Sequence, residues 1–190
     1  MSDDPRDHIL AVALKLVGEH GIARTSMADV AVGAGVSRAT LYRYFPGGKD
    51  EVMESMVAWE QLRFLRRLRA AIDDAPDLRS LLDRALVEGK HQVDRHEQLQ
   101  KVLATEPERL MPLFRRSDHR MAGIVARYLQ PWVARESLRP GLDPIWAADE
   151  LARMFFSFMV SQGRWDTEDP VSRARLVDRY FLSGILAPRG

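Results

Sequence analysis

The stretch that decides the fold is residues 21–45, which reads GIARTSMADVAVGAGVSRATLYRYF. Two short helices are predicted in it, one on each side of the glycine-containing link at residues 33–36. Ser37 has the side chain of a good N-cap, so the second helix follows it and runs through Tyr44. Two short helices joined by a tight turn of this kind are typical of a helix-turn-helix.

The helices around this link carry further local signals. Ser26 and Asp29 stand at capping-box spacing, with Asp in place of the usual Glu, so the first helix of the pair begins at Thr25 or Ser26. An earlier helix is predicted from about Asp7 to His20, because apolar residues recur there at spacings of three and four. The Pro-Gly-Gly sequence at residues 46–48 ends the segment.

The rest of the chain continues the helical spacing and is almost without strand signals, so we predict an all-α fold of about nine helices. A long fourth helix begins at Lys49 or Asp50 and ends near Ile72. The change of character within it predicts an N-terminal domain over residues 4–64 and a C-terminal domain over residues 65–190. Further helices are predicted over about 78–95, 147–162 and 170–186. The prolines between them are expected to divide the middle of the chain into short helices: Pro107, Pro112, Pro131 and Pro140.

Composition limits the classes of protein that fit. The chain has 190 residues, 46% of them hydrophobic, which is enough for a sizeable core. Its 28 basic and 27 acidic residues nearly cancel, so any binding of nucleic acid must come from a local patch. The absence of cysteine excludes disulfides and thiolate metal sites. Because no signal-peptide pattern or membrane-length apolar run is found, we expect a soluble, cytoplasmic protein.

The second short helix offers chemistry suited to DNA. An arginine can bind guanine through two hydrogen bonds, and Thr or Ala can contact a thymine methyl group. Hydroxyls, lysines and helix N-termini can bind phosphates. The candidate DNA-binding residues are Thr25, Ser26, Ser37, Arg38, Ala39, Thr40, Tyr42, Arg43, Tyr44 and Lys49. Leu41 and Phe45 are predicted to be core residues instead.

Residues 9–51 together resemble the N-terminal domain of TetR-family (TetR/AcrR-like) transcriptional regulators. The most specific part is the string Thr-Leu-Tyr-x-x-Phe at residues 40–45, which follows Gly-Val-Ser at residues 35–37. One departure is the Pro-Gly-Gly link before Lys49, where many relatives have a shorter and more polar link. The resemblance implies a homodimer that binds a DNA operator, with a C-terminal domain that binds a small molecule and thereby changes DNA affinity.

The apolar C-terminal helices fit that implication. The helix over residues 147–162 is apolar on nearly every side, so it must be buried on more than one face. One face suits a pocket for a small, largely apolar effector, because Met and Phe adapt to apolar ligands. The candidate pocket residues are Leu86, Met111, Phe114, Met121, Phe155 and Met159. The candidate dimer-interface residues are Phe158, Gln162, Leu176, Tyr180, Phe181 and Gly184. Burial in the core alone is the competing interpretation for each of them.

Other functions find less support in the sequence. We find no nucleophile elbow, phosphate-binding loop or paired catalytic carboxylates, so neither an enzyme nor a cofactor is expected. His91 and His96 lie five residues apart, which does not place them on one helical face, so no metal site is predicted. The arginines of the fourth helix (Arg63, Arg66, Arg67 and Arg69) could extend a DNA patch, but solvent exposure or salt bridging is the favoured interpretation. The alternative to a regulator is a helical interaction or ligand-sequestering module that does not bind DNA.

Overall fold

The computed structural model describes residues 4–160 and 163–188, and the side chains of all these except residues 117–119 and 160. Over these ranges the only extended pairing is an isolated antiparallel bridge between Leu138 and Leu186, so the predicted all-α class is confirmed. The helices are α1 Pro5–His20, α2 Met27–Gly33, α3 Arg38–Tyr44, α4 Gly48–Ile72, α5 Leu78–Asp94, α6 Glu97–Thr105, α7 Pro107–Val133, α8 Pro144–Val160 and α9 Pro170–Leu176, followed by a π-helical segment, Val177–Leu182. No helix within the described part of the chain has the length and apolar character needed to cross a membrane.

Local sequence accounts for the ends of the first three helices. Asp4 caps α1 by accepting the N–H of Arg6 at 2.8 Å. Gly21 ends α1 with a φ of 86°, a conformation that favours glycine. The predicted capping box at the start of α2 is present, with Ser26 as the N-cap and Asp29 as its partner. Ser37 caps α3, as its sequence predicts.

The chain divides into two compact units. The first unit comprises residues 1–63 and 94–118, and the second comprises residues 64–93 and 119–190. Each unit has its own apolar core. The core of the first unit is built around Ile9, Val30, Leu41, Phe45, Val52 and Val102. The core of the second unit is built around Leu78, Leu86, Ala148, Leu151, Leu176 and Phe181.

The middle of the chain differs from the prediction of short helices. α7 runs without a break for 27 residues and includes both Pro112 and Pro131. Pro107 occupies the first position of α7, where a missing N–H costs nothing. A proline inside a helix is unfavourable, but burial of the apolar face of α7, including Leu110, Met121 and Leu129, offsets that cost.

The end of the chain also differs from the prediction. The helix that opens at Pro170 is α-helical only as far as Leu176 and then widens into the π-helical segment. α8 begins at Pro144, three residues earlier than predicted. The predicted end of that helix, at Gln162, lies outside the described residues.

Candidate nucleic-acid interface

The link between α2 and α3 is closed by backbone hydrogen bonds. The N–H of Ala34 is donated to the C=O of Val30 at 2.9 Å, and the N–H of Val36 is donated to the C=O of Ala31 at 3.0 Å. Gly35 lies between them with a φ of 65°, in the left-handed region that favours glycine. The two short helices are therefore held at a fixed angle, which defines a helix-turn-helix.

The exposed side of α3 carries four of the ten residues expected to contact DNA. Arg38, Ala39 and Arg43 are exposed, and Tyr42 is 43% exposed. Leu41 is fully buried beneath them, as is Phe45 just after the helix. The packing thus anchors one side of α3 and leaves two arginines and a tyrosine facing outward.

The polar residues at the ends of α3 have partners within the protein. The hydroxyl of Ser37 accepts the N–H of Thr40 at 3.0 Å and lies 3.0 Å from the Thr40 hydroxyl. Tyr44 is partly buried, and its ring packs under the guanidinium of Arg43 at 5.5 Å. Ser37 therefore acts as the N-cap of α3, and its exposed side chain is hydrogen-bonded to the first turn of that helix.

Thr25 lies in a different environment from the one expected of a phosphate contact. Its side chain is fully buried, and its hydroxyl is donated to the C=O of Gly21 at 2.8 Å. Its N–H is donated to the same C=O at 3.3 Å. Thr25 therefore closes the turn between α1 and α2 and has no exposed hydroxyl to offer.

Ser26 is exposed, and its hydrogen bonds are shared with Asp29. The Ser26 hydroxyl is 2.6 Å from a carboxylate oxygen of Asp29 and accepts the N–H of Asp29 at 3.2 Å. The hydrogen bonds from the Ser26 side chain and backbone lower the pKa of the Asp29 carboxyl. The N-terminus of α2 is thus capped by the Ser26 hydroxyl, and the Asp29 carboxylate is its partner in the capping box.

Lys49 lies in the first turn of α4 and reaches back to the α1–α2 turn, which comprises residues 21–26. Its Nζ donates to the C=O of Ala23 at 2.9 Å. An ammonium group has three donors, so two remain for an anion. The Pro-Gly-Gly link before Lys49 is fixed by Glu51, which accepts the N–H of Gly47 at 2.7 Å.

Arg6 supports the C-terminal end of α3 and was not identified from the sequence. Its guanidinium lies over the ring of Phe45 at 4.5 Å and donates to the C=O of Tyr44 and the hydroxyl of Ser55, both at 3.2 Å. It is also 4.0 Å from the carboxylate of Glu51. A single arginine near the start of α1 thus joins α3 to α4, and nothing in its local sequence marks that role.

The candidate effector residues do not form one cluster. Leu86 and Phe155 are buried in the core of the second unit, with Met159 packed against it. Met111 and Phe114 pack against the core of the first unit instead. Met121 is only 1% exposed.

The candidate dimer residues divide into buried and exposed groups. Phe158, Leu176 and Phe181 are buried in the core of their own unit. Tyr180 is 56% exposed and Gly184 is also exposed, whereas Gln162 lies outside the described residues. Additional large apolar side chains are exposed in the second unit: Ile145, Trp146 and Val171.

The arginines of α4 make contacts within their own units. Arg63 lies over the ring of Trp59 at 4.4 Å and 3.4 Å from a carboxylate oxygen of Glu60. Arg67 donates to the side chain of Gln92 at 3.1 Å. Arg69 is 3.6 Å from the carboxylate of Asp73.

The two histidines considered for a metal site have separate partners. His91 lies 2.7 Å from the carboxylate of Glu168. His96 caps α6 by accepting the N–H of Leu99 at 3.1 Å and lies 3.4 Å from the carboxylate of Glu60. The two side chains therefore serve different local contacts.

Comparison with known proteins agrees with this geometry. Residues 9–56 match the family of bacterial regulatory proteins called the tetR family. The HTH-type transcriptional regulator AcrR of Shigella flexneri is 37% identical over 59 residues, which are 31% of this chain and 26% of that protein. The match therefore spans about a quarter of that relative's length. The N-terminal segment of the chain therefore matches the TetR family, in agreement with the resemblance seen in the sequence.

Similarity to solved structures extends over the whole fold. The TetR-family repressor AlkX from Dietzia sp. strain DQ12-45-1b has a TM-score of 0.66 at 21% identity, with 95% of this chain and 97% of that chain covered. The fatty acid degradation regulator FadR from Bacillus halodurans has a TM-score of 0.58 at 19% identity, covering 94% of this chain and 93% of that chain. NalD, the secondary repressor of the MexAB-OprM multidrug efflux pump in Pseudomonas aeruginosa, has a TM-score of 0.57 at 22% identity, covering 98% of both chains. At these identities the likeness establishes a shared fold.

Proposed function

We propose that the protein is a cytoplasmic, sequence-specific DNA-binding transcriptional regulator that acts as a repressor. The observation that supports this most is the outward-facing side of α3, where Arg38, Tyr42 and Arg43 are exposed above the buried Leu41. A helix presented in this way can enter a major groove, where arginine binds guanine and small side chains contact thymine methyl groups. Ser26 and Lys49 are proposed to contact the flanking phosphates. The buried side chain of Thr25 is left out of the proposed contacts.

We further propose that the regulator is a homodimer that binds a palindromic operator. Two copies of α3 would then occupy major grooves about 34–36 Å apart, one helical turn of DNA. Tyr180 and Trp146 support an interface on the second unit, because they are 56% and 72% exposed and are costly to leave in water. Light scattering of the purified chain tests this. A monomer at micromolar concentration contradicts it.

The proposed effector is a small, largely apolar molecule that releases the protein from DNA. The apolar side chains of the second unit support this class of ligand, as do the described roles of two structurally similar proteins. FadR is a fatty acid degradation regulator, and AlkX is implicated in biodegradation of n-alkanes. Release requires that the effector bind more tightly to the form with low DNA affinity. A series of fatty acids of increasing chain length, added to a preformed DNA complex, tests this class. The proposal fails if no chain length changes the DNA affinity.

DNA binding is tested with the double variant Arg38→Ala, Tyr42→Ala. The operator is first recovered by selection from a random DNA library with the wild-type chain. Because α3 is anchored by Leu41 and Phe45, the variant is expected to fold normally and to lose specific binding. Arg120→Ala is the matched control, since it removes an exposed positive charge from α7. Unchanged operator affinity of the double variant in a gel-shift titration would refute the proposed contacts.

A further inference from the structure

Glu106 lies at the junction of α6 and α7, within the same compact unit as the helix-turn-helix. Its N–H is donated to the C=O of Val102 at 2.8 Å. Its own C=O accepts the N–H of Arg109 at 3.0 Å and that of Leu110 at 3.2 Å. The backbone of Glu106 is therefore fixed from both sides, which limits where its side chain can reach.

The Glu106 side chain accepts a hydrogen bond from the main chain of the α1–α2 turn. Its Oε2 accepts the N–H of Ala23 at 2.9 Å, across 83 residues of sequence. The side chain of Glu106 is only 16% exposed, and the guanidinium of Arg109 lies 3.4 Å from the same oxygen. A hydrogen bond to a charged acceptor is stronger than one between neutral groups.

Gly21 makes room for this contact. A Cβ atom at Gly21 would overlap the Oε1 atom of Glu106, so the glycine is needed for space as well as for its φ of 86°. One turn earlier, a Cβ atom at Gly18 would overlap the side chain of Gln98 on α6. Lys101 of α6 adds a third contact, since its Nζ donates to the C=O of Glu19 at 3.1 Å. The last turn of α1 is thus shaped to receive α6.

Ala23 is held from two directions. Glu106 accepts its N–H, and Lys49 donates to its C=O at 2.9 Å. The turn that contains Ala23 leads directly to Ser26, the N-cap of α2. The two proposed phosphate contacts are Ser26, at the start of α2, and the ammonium group of Lys49. Both therefore depend on the position of the Ala23 main chain.

We infer that Glu106 is a positioning residue for DNA binding. It does not contact DNA, but it fixes the α1–α2 turn so that Ser26 and Lys49 stand in register with α3. α6 and the α6–α7 junction lie outside the three-helix segment that binds DNA. A displacement of this junction would therefore change DNA affinity through the contact between Glu106 and Ala23. The inference rests on the proposed function.

The test compares three variants of the full chain on a fluorescein-labelled duplex carrying the selected operator. Glu106→Ala removes the acceptor and is expected to weaken operator binding about tenfold at constant salt. Glu106→Gln keeps an oxygen that can accept the N–H of Ala23, so most of the affinity should return. Glu108→Ala is the matched control, because it removes an exposed acidic residue of α7 and should bind like the wild type.

The direction of the effect separates positioning from net charge. Loss of an acidic residue by itself favours binding to phosphates. A weaker complex with Glu106→Ala therefore cannot arise from the change in charge. Unchanged or stronger binding would overturn the inference. Stronger binding would mean that Glu106 occupies a backbone donor that the DNA needs.

A double-mutant cycle with Lys49→Ala gives a readout that general loss of stability would not produce. If both side chains act through Ala23, their effects on operator affinity must be non-additive, whereas independent sites add. Should Glu106→Ala fail to fold, Glu106→Asp replaces it, since the shorter side chain keeps the charge but loses reach. Additive effects contradict the inference.

The two proposals fail in distinguishable ways. If the wild-type chain selects no DNA sequence, the proposed function fails and this inference fails with it. If the wild type binds its operator and the Glu106 variants bind equally well, only the positioning role is refuted.

Discussion

Substitution of Thr25 by Val separates a buried structural role from a DNA contact. Valine has nearly the same shape as threonine, so it leaves no cavity in a site where Thr25 is fully buried. The change removes the 2.8 Å hydrogen bond from the Thr25 hydroxyl to the C=O of Gly21. That C=O keeps the Thr25 N–H as a donor at 3.3 Å, so it is not left unpaired.

The magnitude follows from this geometry. Loss of one intramolecular hydrogen bond without an orphaned partner is expected to lower the free energy of unfolding by about 1 kcal/mol. In a chain of 190 residues that unfolds in one step, this corresponds to a fall in Tm of about 2–4 °C. Operator affinity, measured well below Tm, should be unchanged because the hydroxyl does not reach the surface.

Urea denaturation and a gel-shift titration check the two halves of this prediction. Ser26→Ala is the companion variant, because Ser26 is exposed and is proposed to contact phosphate. It should lower stability through loss of the cap and also weaken DNA binding. The reasoning about Thr25 is refuted if Thr25→Val leaves the urea midpoint unchanged while operator affinity falls.

Three further predictions concern packing and titration. Gly89→Ala should destabilise the protein by about 1–3 kcal/mol in urea denaturation. The reason is that the new methyl group would lie 2.8 Å from a methionine sulfur of α8. Gly123→Ala is the control and should not destabilise the protein, because Gly123 has open space around it. Burial raises the pKa of Tyr128 to about 12. The neutral phenol therefore stabilises the fold below the ordinary tyrosine pKa, and this stabilisation is lost as the pH rises through the higher value. Ultraviolet titration should show a late phenol step that Tyr128→Phe abolishes. The hydrogen bonds from Ser26 lower the pKa of Asp29. The stabilisation from these bonds is therefore present above the unfolded-state pKa of Asp29 and is lost as the pH falls through the lower folded-state value. Asp29→Asn should reduce the acid sensitivity of the urea midpoint, and an unchanged pH profile would contradict this.

The sequence was sufficient wherever structure depends on neighbours a few residues apart. The capping box of Ser26 and Asp29, the cap at Ser37 and the turn at Gly35 all involve contacts within about one helical turn. Their donors and acceptors can be matched from spacing alone. Apolar periodicity likewise identified Leu41 as a buried residue beneath the exposed side of α3.

Features that depend on residues far apart were decided only by the tertiary structure. Proline rules favour a break at Pro112, but burial of one face keeps α7 continuous. Thr25 has a hydroxyl of the kind that binds phosphates, yet its side chain is buried in the fold. No local pattern connects Glu106 with Ala23, because a hydrogen bond across 83 residues exists only once α6 has packed against α1. Local hydrogen-bonding rules thus set the two short helices of the proposed DNA interface, and long-range packing decided what supports them.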